Sequence, residues 1–141
     1  MFGVAVPGKV YVFRLPYGED LLAAVKTAAE TVKAEAGVFW IIGAVQKGEI
    51  SFYNQSEKKY VRKSFDQPME ILSCIGNVSK LKGETLIHAH IALGDETGKA
   101  YGGHLEKGTI IFAAELFLLK LEGIQLTREY DDTTGLNLFS L

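Results

Sequence analysis

The sequence predicts an α+β fold: a mainly antiparallel sheet of about seven strands with one long helix packed on it. Three observations lead there. One segment alone, Glu19–Ala36, carries apolar residues at helical spacing, with Leu21, Val25, Ala28 and Val32 separated by four, three and four residues. The remainder breaks into short runs rich in β-branched and aromatic residues, separated by turn signals. Most of those connections are short, and short connections join antiparallel neighbours. At 141 residues, 48% hydrophobic and 23% charged, the chain fits a single domain spanning 1–141 with enough surface to bury a real core.

Taken in order, Val10–Leu15 alternates as a strand should, and Pro16, Tyr17 and Gly18 break it. The helix follows, with Glu19 and Asp20 in its first turn, where the dipole favours acids, and Gly37 where a left-handed cap is expected. Val38–Gln46 is apolar enough for a central strand buried on both faces, and Lys47-Gly48 reads as a hairpin turn into Glu49–Asn54. Lys59–Phe65 is next. Its neighbourhood carries Lys58, Lys59, Arg62 and Lys63, a pattern that reads as a solvated edge strand ahead of a basic binding patch. Met69–Ile75 ends at Gly76-Asn77, Thr85–Leu93 precedes a turn at Gly94–Gly98, and Lys99–Leu105 is short and glycine-bearing. Gly108–Leu121 has a mixed period, but Thr109, Ile110, Ile111 and Phe112 favour strand. Ile124–Glu129 supplies a last strand, for seven or eight in all.

Charge and composition exclude several classes. The net charge is −2, and only three of the fifteen cations are arginine. Autonomous nucleic-acid binders are usually basic, because phosphate neutralisation supplies most of their affinity. The longest apolar run, Val38–Val45, is far short of the ~20 residues of a spanning helix, so no membrane association is expected. The N-terminal residues carry no secretion pattern, and the single cysteine, Cys74, cannot form an internal disulfide. Both point to a cytoplasmic setting. Cys74 itself reads as a small buried hydrophobe.

The chemistry concentrates in the histidines. All three, His88, His90 and His104, lie within seventeen residues. His88 and His90 share a strand face at i, i+2, ~6.6 Å apart along the strand. Counting back from the Gly94–Gly98 turn places His104 across the ladder from them. Three imidazoles meeting at one point make the ligand set of an open zinc site. The same residues also suit two other readings: hydrogen-bonded structural or interface histidines, and acid–base catalysis without a metal. Glu115, an acid inside an apolar strand, could orient a ligand ring, as could Asp95 or Glu84. Gly102-Gly103 reads as a bulge or a close backbone approach rather than a phosphate loop.

Ile87-His88-Ala89-His90, Gly102-Gly103-His104-Leu105, Gly108-Thr109 and Ala114-Glu115 together resemble the signature of the plant-and-prokaryote-conserved (PPC) domain, the AT-hook-associated domain family. Arg14-Leu15 with Gly18–Leu21, and Met69–Ser73 with Gly76-Asn77, are similar to its opening and central segments, so the resemblance covers nearly the whole chain. It implies an α+β fold, a homotrimer, and zinc on His88, His90 and His104. The apolar excess, including Ile110–Leu121, fits a trimer with Phe112, Leu116 or Phe117 at or near subunit contacts. In plants the domain follows AT-hook arms that read AT-rich DNA. This chain has no Arg-Gly pair, so it resembles a free-standing prokaryotic member, of the kind described as DNA-binding. Three functions follow as expectations: a trimeric metal-binding module, a DNA-associated or regulatory protein acting through partners, and a small metal-dependent enzyme. DNA binding by this chain alone is expected to be weak.

Overall fold

A computed structural model describes residues 2–141. The elements run β1 (Val6–Leu15), α1 (Leu21–Thr31), β2 (Gly37–Asn54), β3 (Lys59–Phe65), β4 (Met69–Leu81), β5 (Glu84–Gly94), β6 (Ala100–Leu105), β7 (Ile110–Glu122), β8 (Thr127–Asp131) and β9 (Leu136–Ser140). The α+β class is as expected. Nine strands form one sheet in the order β1-β7-β2-β6-β5-β4-β8-β9, with β3 on β2 and a further pairing of β2 with β4. Among the described residues every pairing of named strands is antiparallel except β4 with β8.

The helix is shorter than its periodicity suggests. Asp20 is its N-cap: the Ala23 N–H donates to Asp20 Oδ1 (3.0 Å), and the Gly108 N–H donates to Oδ2 (2.6 Å). One carboxylate therefore satisfies a helix-end donor and ties the helix start to the loop before β7. The far end closes early, with Lys33, at φ +53°, taking the left-handed position. The Lys33 N–H donates to Glu30 O and the Ala34 N–H to Ala29 O, a Schellman closure. Gly37 is instead the first residue of β2, where a Cβ would sit 3.0 Å from the Leu119 carbonyl oxygen. Asp20→Ala should lower stability by ~1–2 kcal/mol, read as a shift of the urea midpoint. A shift under a quarter of that would mean the cap and the Gly108 anchor contribute little.

β2 corrects two further expectations. Lys47-Gly48 is not a hairpin turn, since neither residue has a positive φ, which such turns require. The strand runs through and changes partners: β7 and β4 flank its first part, β3 and β6 its second. At Gly48 the strand passes close to buried Leu93, so a Cβ there, 2.5 Å from Leu93 Cδ1, would displace the tip of that side chain. Nor is β2 buried on both faces. Phe39 and Ile41 are buried while Trp40 and Ile42 are exposed, because α1 covers one face only. β7 repeats the pattern, with Leu116 and Leu118 inward and Phe117 outward. Leu116 is thus a core residue, and of the three residues expected at or near subunit contacts only Phe112 and Phe117 are exposed.

The core lies between α1 and the inner sheet face, around Leu21, Val25, Phe39, Ile41, Leu116 and Leu118. β3 is exposed along six of its seven residues, which fits the solvated-edge reading. The β8–β9 hairpin exceeds the sequence expectation. Its turn is held by Asp131 Oδ2, which accepts from the Thr134 N–H and hydroxyl (both 2.7 Å).

Candidate metal centre

β5 presents His88 and His90 on one face, and β6 places His104 directly opposite His90 in the ladder. The register inferred from the Gly94–Gly98 turn is the one observed. That turn is built on Asp95, whose carboxylate accepts from the Thr97 and Lys99 N–H groups. Gly103 lets β6 come close to β2, since a Cβ there would sit 2.6 Å from the Ser51 carbonyl oxygen. That approach seats His104 beside the pair.

The ring centroids of the three histidines are 5.3, 5.0 and 5.7 Å apart. One nitrogen from each lies within 4.8 Å of the others. Tetrahedral zinc, with bonds of ~2.0–2.1 Å, spaces its ligands by ~3.4 Å, so small ring rotations close the gap. His104 Nδ1 is the one buried side-chain polar atom among the described residues with no hydrogen-bond partner. Such an orphan is costly unless it finds a partner, and for the unprotonated nitrogen a metal ion is one.

Electrostatics keeps the rings ready to ligate. Burial first, then His104, Arg128 and His90, push the His88 imidazole down from its ordinary value to about 4. Burial lowers His104 too, helped by His90 and opposed by Glu106. Neutral imidazoles are the ligating form. Both folded-state values lie below the unfolded one of ~6.5, so the folded metal-free protein binds fewer protons there. Its stability is complete above that value and falls as pH drops from ~6.5 towards 4. Thermal melts of the metal-free protein should be flat from pH 8 to 7 and decline steadily below 6.5. His88→Gln should reduce the decline; an equal decline would exclude His88 as its source.

The expected carboxylates do not gather here. Glu115 is exposed, opposite Arg14 and Ile42. It lies three strands from β5, ~14 Å at ~4.8 Å per strand. Asp95 is occupied by its turn, and Glu84 sits at the start of β5, opposite Leu81. The acid that acts on His104 is Glu106, which also accepts from Ser51 Oγ (2.7 Å). Its place two residues after His104 was the available sequence signal. Two further neighbours escaped sequence reading. Tyr60 sets its ring 5.0 Å from that of His104. Arg128, from β8, brings Nη2 to 3.4 Å from His88 Nδ1. Cys74 is buried and its thiol is pushed up to about 12 by burial, which leaves it inert, as expected.

Residues 3–122 match the Plants and Prokaryotes Conserved (PCC) domain. A metal-containing protein of Archaeoglobus fulgidus shares 38% identity, with a TM-score of 0.95 over 100% of this chain and 99% of that one. A plant- and prokaryote-conserved protein of Pyrococcus horikoshii shares 35%, with a TM-score of 0.93 over 100% and 97%. A protein of Bacteroides thetaiotaomicron, described as a candidate DNA-binding protein, shares 25%, with a TM-score of 0.85 over 98% of each chain. The bifunctional protein GlmU of a Synechococcus strain is 28% identical over 129 residues, 90% of this chain. The chain spans about 20% of the length of that curated relative.

Proposed function

The chain belongs to the Plants and Prokaryotes Conserved domain family, and from that premise we propose that it is a trimeric metal-binding module holding one zinc ion per chain on His88, His90 and His104. The observation that carries this reading is the convergence of three imidazoles, one nitrogen from each within 4.8 Å of the others; the buried, unpartnered His104 Nδ1 adds to it. The metal-containing relative at 38% identity supports it. Imidazole suits several transition metals; zinc is favoured because three nitrogens and a water complete its open tetrahedral site. Bound there, zinc would supply a Lewis acid with one exchangeable position. Elemental analysis of purified protein, reconstituted with excess zinc and desalted at pH 7.5, tests it. One ion per chain is expected, and none would reject the site.

The trimer is supported by the outer sheet face. Val12, Phe117, Trp40, Ile75, His90 and His104 are successive ladder partners across six strands. The first four are all exposed. A contiguous apolar row of this kind on a monomer marks an interaction surface. The free, buried thiol of Cys74 supports a cytoplasmic setting. Among the described residues no helix is long and apolar enough to cross a membrane.

The DNA-associated reading is favoured by the likeness to the Bacteroides protein. Against autonomous binding stand the net charge of −2 and the local use of the β3 cations. Arg62 donates to the Lys107 carbonyl (2.6 Å) and Lys63 lies over the Tyr101 ring. We expect no sequence-specific binding to AT-rich duplex by this chain alone at physiological salt. Nanomolar binding with a steep salt slope in a titrated assay would overturn that expectation.

A further inference from the structure

We propose that the cleft beside the histidines binds a small organic acid through its carboxylate, held between Arg128 and the metal position. This rests on the metal reading for one of its two anchors and on Arg128 for the other. The cleft encloses about 250 Å³ and is lined by Tyr60, His88, His104, Arg128, Leu136 and Leu138, among others. At ~30 Å³ per water molecule it has room for about eight waters, so it suits a short organic molecule.

Charge is the first argument. Arg128 is only 8% exposed, and among the described residues it forms no ion pair. Its partners are neutral. Nε–H donates to Ser79 Oγ (2.9 Å), Nη1 to the Asn137 carbonyl (2.8 Å) and Nη2 to Asn77 Oδ1 (2.9 Å). The ring of Phe139 lies 4.2 Å from the guanidinium carbon. A buried cation normally has an anionic partner. A dication on three neutral imidazoles next to it would triple the local positive charge. The acid that acts on His104, Glu106, is hydrogen-bonded to Ser51 and does not pair with Arg128.

Hydrogen-bond accounting is the second. A guanidinium only donates, and a neutral imidazole has one lone pair. In the metal-free protein, Nη2 faces His88 Nδ1 at 3.4 Å, where the imidazole can accept. When a metal takes the other nitrogen, Nδ1 carries the proton and two donors face each other. When the metal takes Nδ1, a guanidinium faces a metal-bound nitrogen. Either arrangement calls for an acceptor beside the guanidinium, and a carboxylate oxygen is one. Nη1 keeps one N–H beyond its bond to Asn137, by the count of five guanidinium donors, and Tyr60, which carries a hydroxyl, lines the same cleft. So few donors suit a two-oxygen carboxylate better than a phosphate, and Leu86, Leu136 and Leu138 suit a short alkyl body.

The test titrates butanoate, and its uncharged counterpart butanamide, into the full chain before and after zinc loading, by calorimetry. Butanoate is expected to bind at least tenfold more tightly than butanamide, and more tightly to the loaded protein. By linkage, butanoate should tighten zinc binding by the factor by which zinc loading tightens butanoate binding. Arg128→Gln should abolish butanoate binding. Because Arg128 also holds the β8–β9 hairpin, Tyr60→Phe serves as a second variant that keeps the packing and should weaken binding several-fold. If the wild type takes no zinc yet binds butanoate over butanamide, the metal reading falls and the anion site stands. Zinc uptake with no butanoate heat, or equal binding of butanamide, overturns the anion site. So does undiminished binding in a folded Arg128→Gln protein.

Discussion

Replacing His90 by alanine should reduce zinc from about one ion per chain to near zero after desalting at pH 7.5, while the fold persists. His90 is an exposed side chain on the outer sheet face, so its removal opens no cavity in the core around Phe39 and Leu116. The loss of binding should nonetheless be large. Structural zinc sites with four protein ligands are worth ~10–16 kcal/mol in all, or ~3 kcal/mol per ligand, so losing one ring should cost about a hundredfold in affinity. His88→Ala and His104→Ala should do the same. The three variants share an outcome for one reason: no ring has a ready substitute, since Glu115, Asp95 and Glu84 lie away from the cluster and Glu106 is held by Ser51. Elemental analysis alongside circular dichroism reads both halves of the expectation. Equal zinc in wild type and all three variants would return these residues to a structural role.

The second large effect concerns assembly. Trp40→Glu should convert a trimer into single chains of 15.5 kDa, measured by light scattering at micromolar concentration. Trp40 is 44% exposed in the single chain and sits mid-row, flanked by Phe117 and Ile75. Burying an unpaired carboxylate among those groups would cost several kcal/mol per subunit, whereas in a free chain the same side chain meets water. Secondary structure should therefore be retained. A wild type that scatters as a monomer would reject the trimer outright. A variant that stays trimeric would place the contact elsewhere, with exposed Phe112 beside Tyr17 the next surface to examine.

Much of this protein was legible in its sequence because much of it is set by local chemistry. The two-residue period of a strand and the turn-forming Asp95 between β5 and β6 were enough to bring His88, His90 and His104 together, since hairpin register follows from the turn and the alternation alone. The apolar stripe of α1 likewise identified its buried face. What local chemistry could not decide is anything set by which strand lies beside which. Val38–Gln46 looked doubly buried because its residues are apolar on both faces; that its outer face is uncovered depends on one helix covering one side. Lys47-Gly48 carried a turn signature, yet the strand runs straight through it, with the glycine packed close to Leu93 from another strand. Leu116 and Phe117 are adjacent and both apolar, and only the sheet says which is core and which is surface. Arg128 lies 38 positions beyond His90 on a strand whose pairing with β4 is parallel, and no turn relates the two. The histidine cluster was thus written in the sequence by register, while the cation beside it was placed by packing between strands distant along the chain.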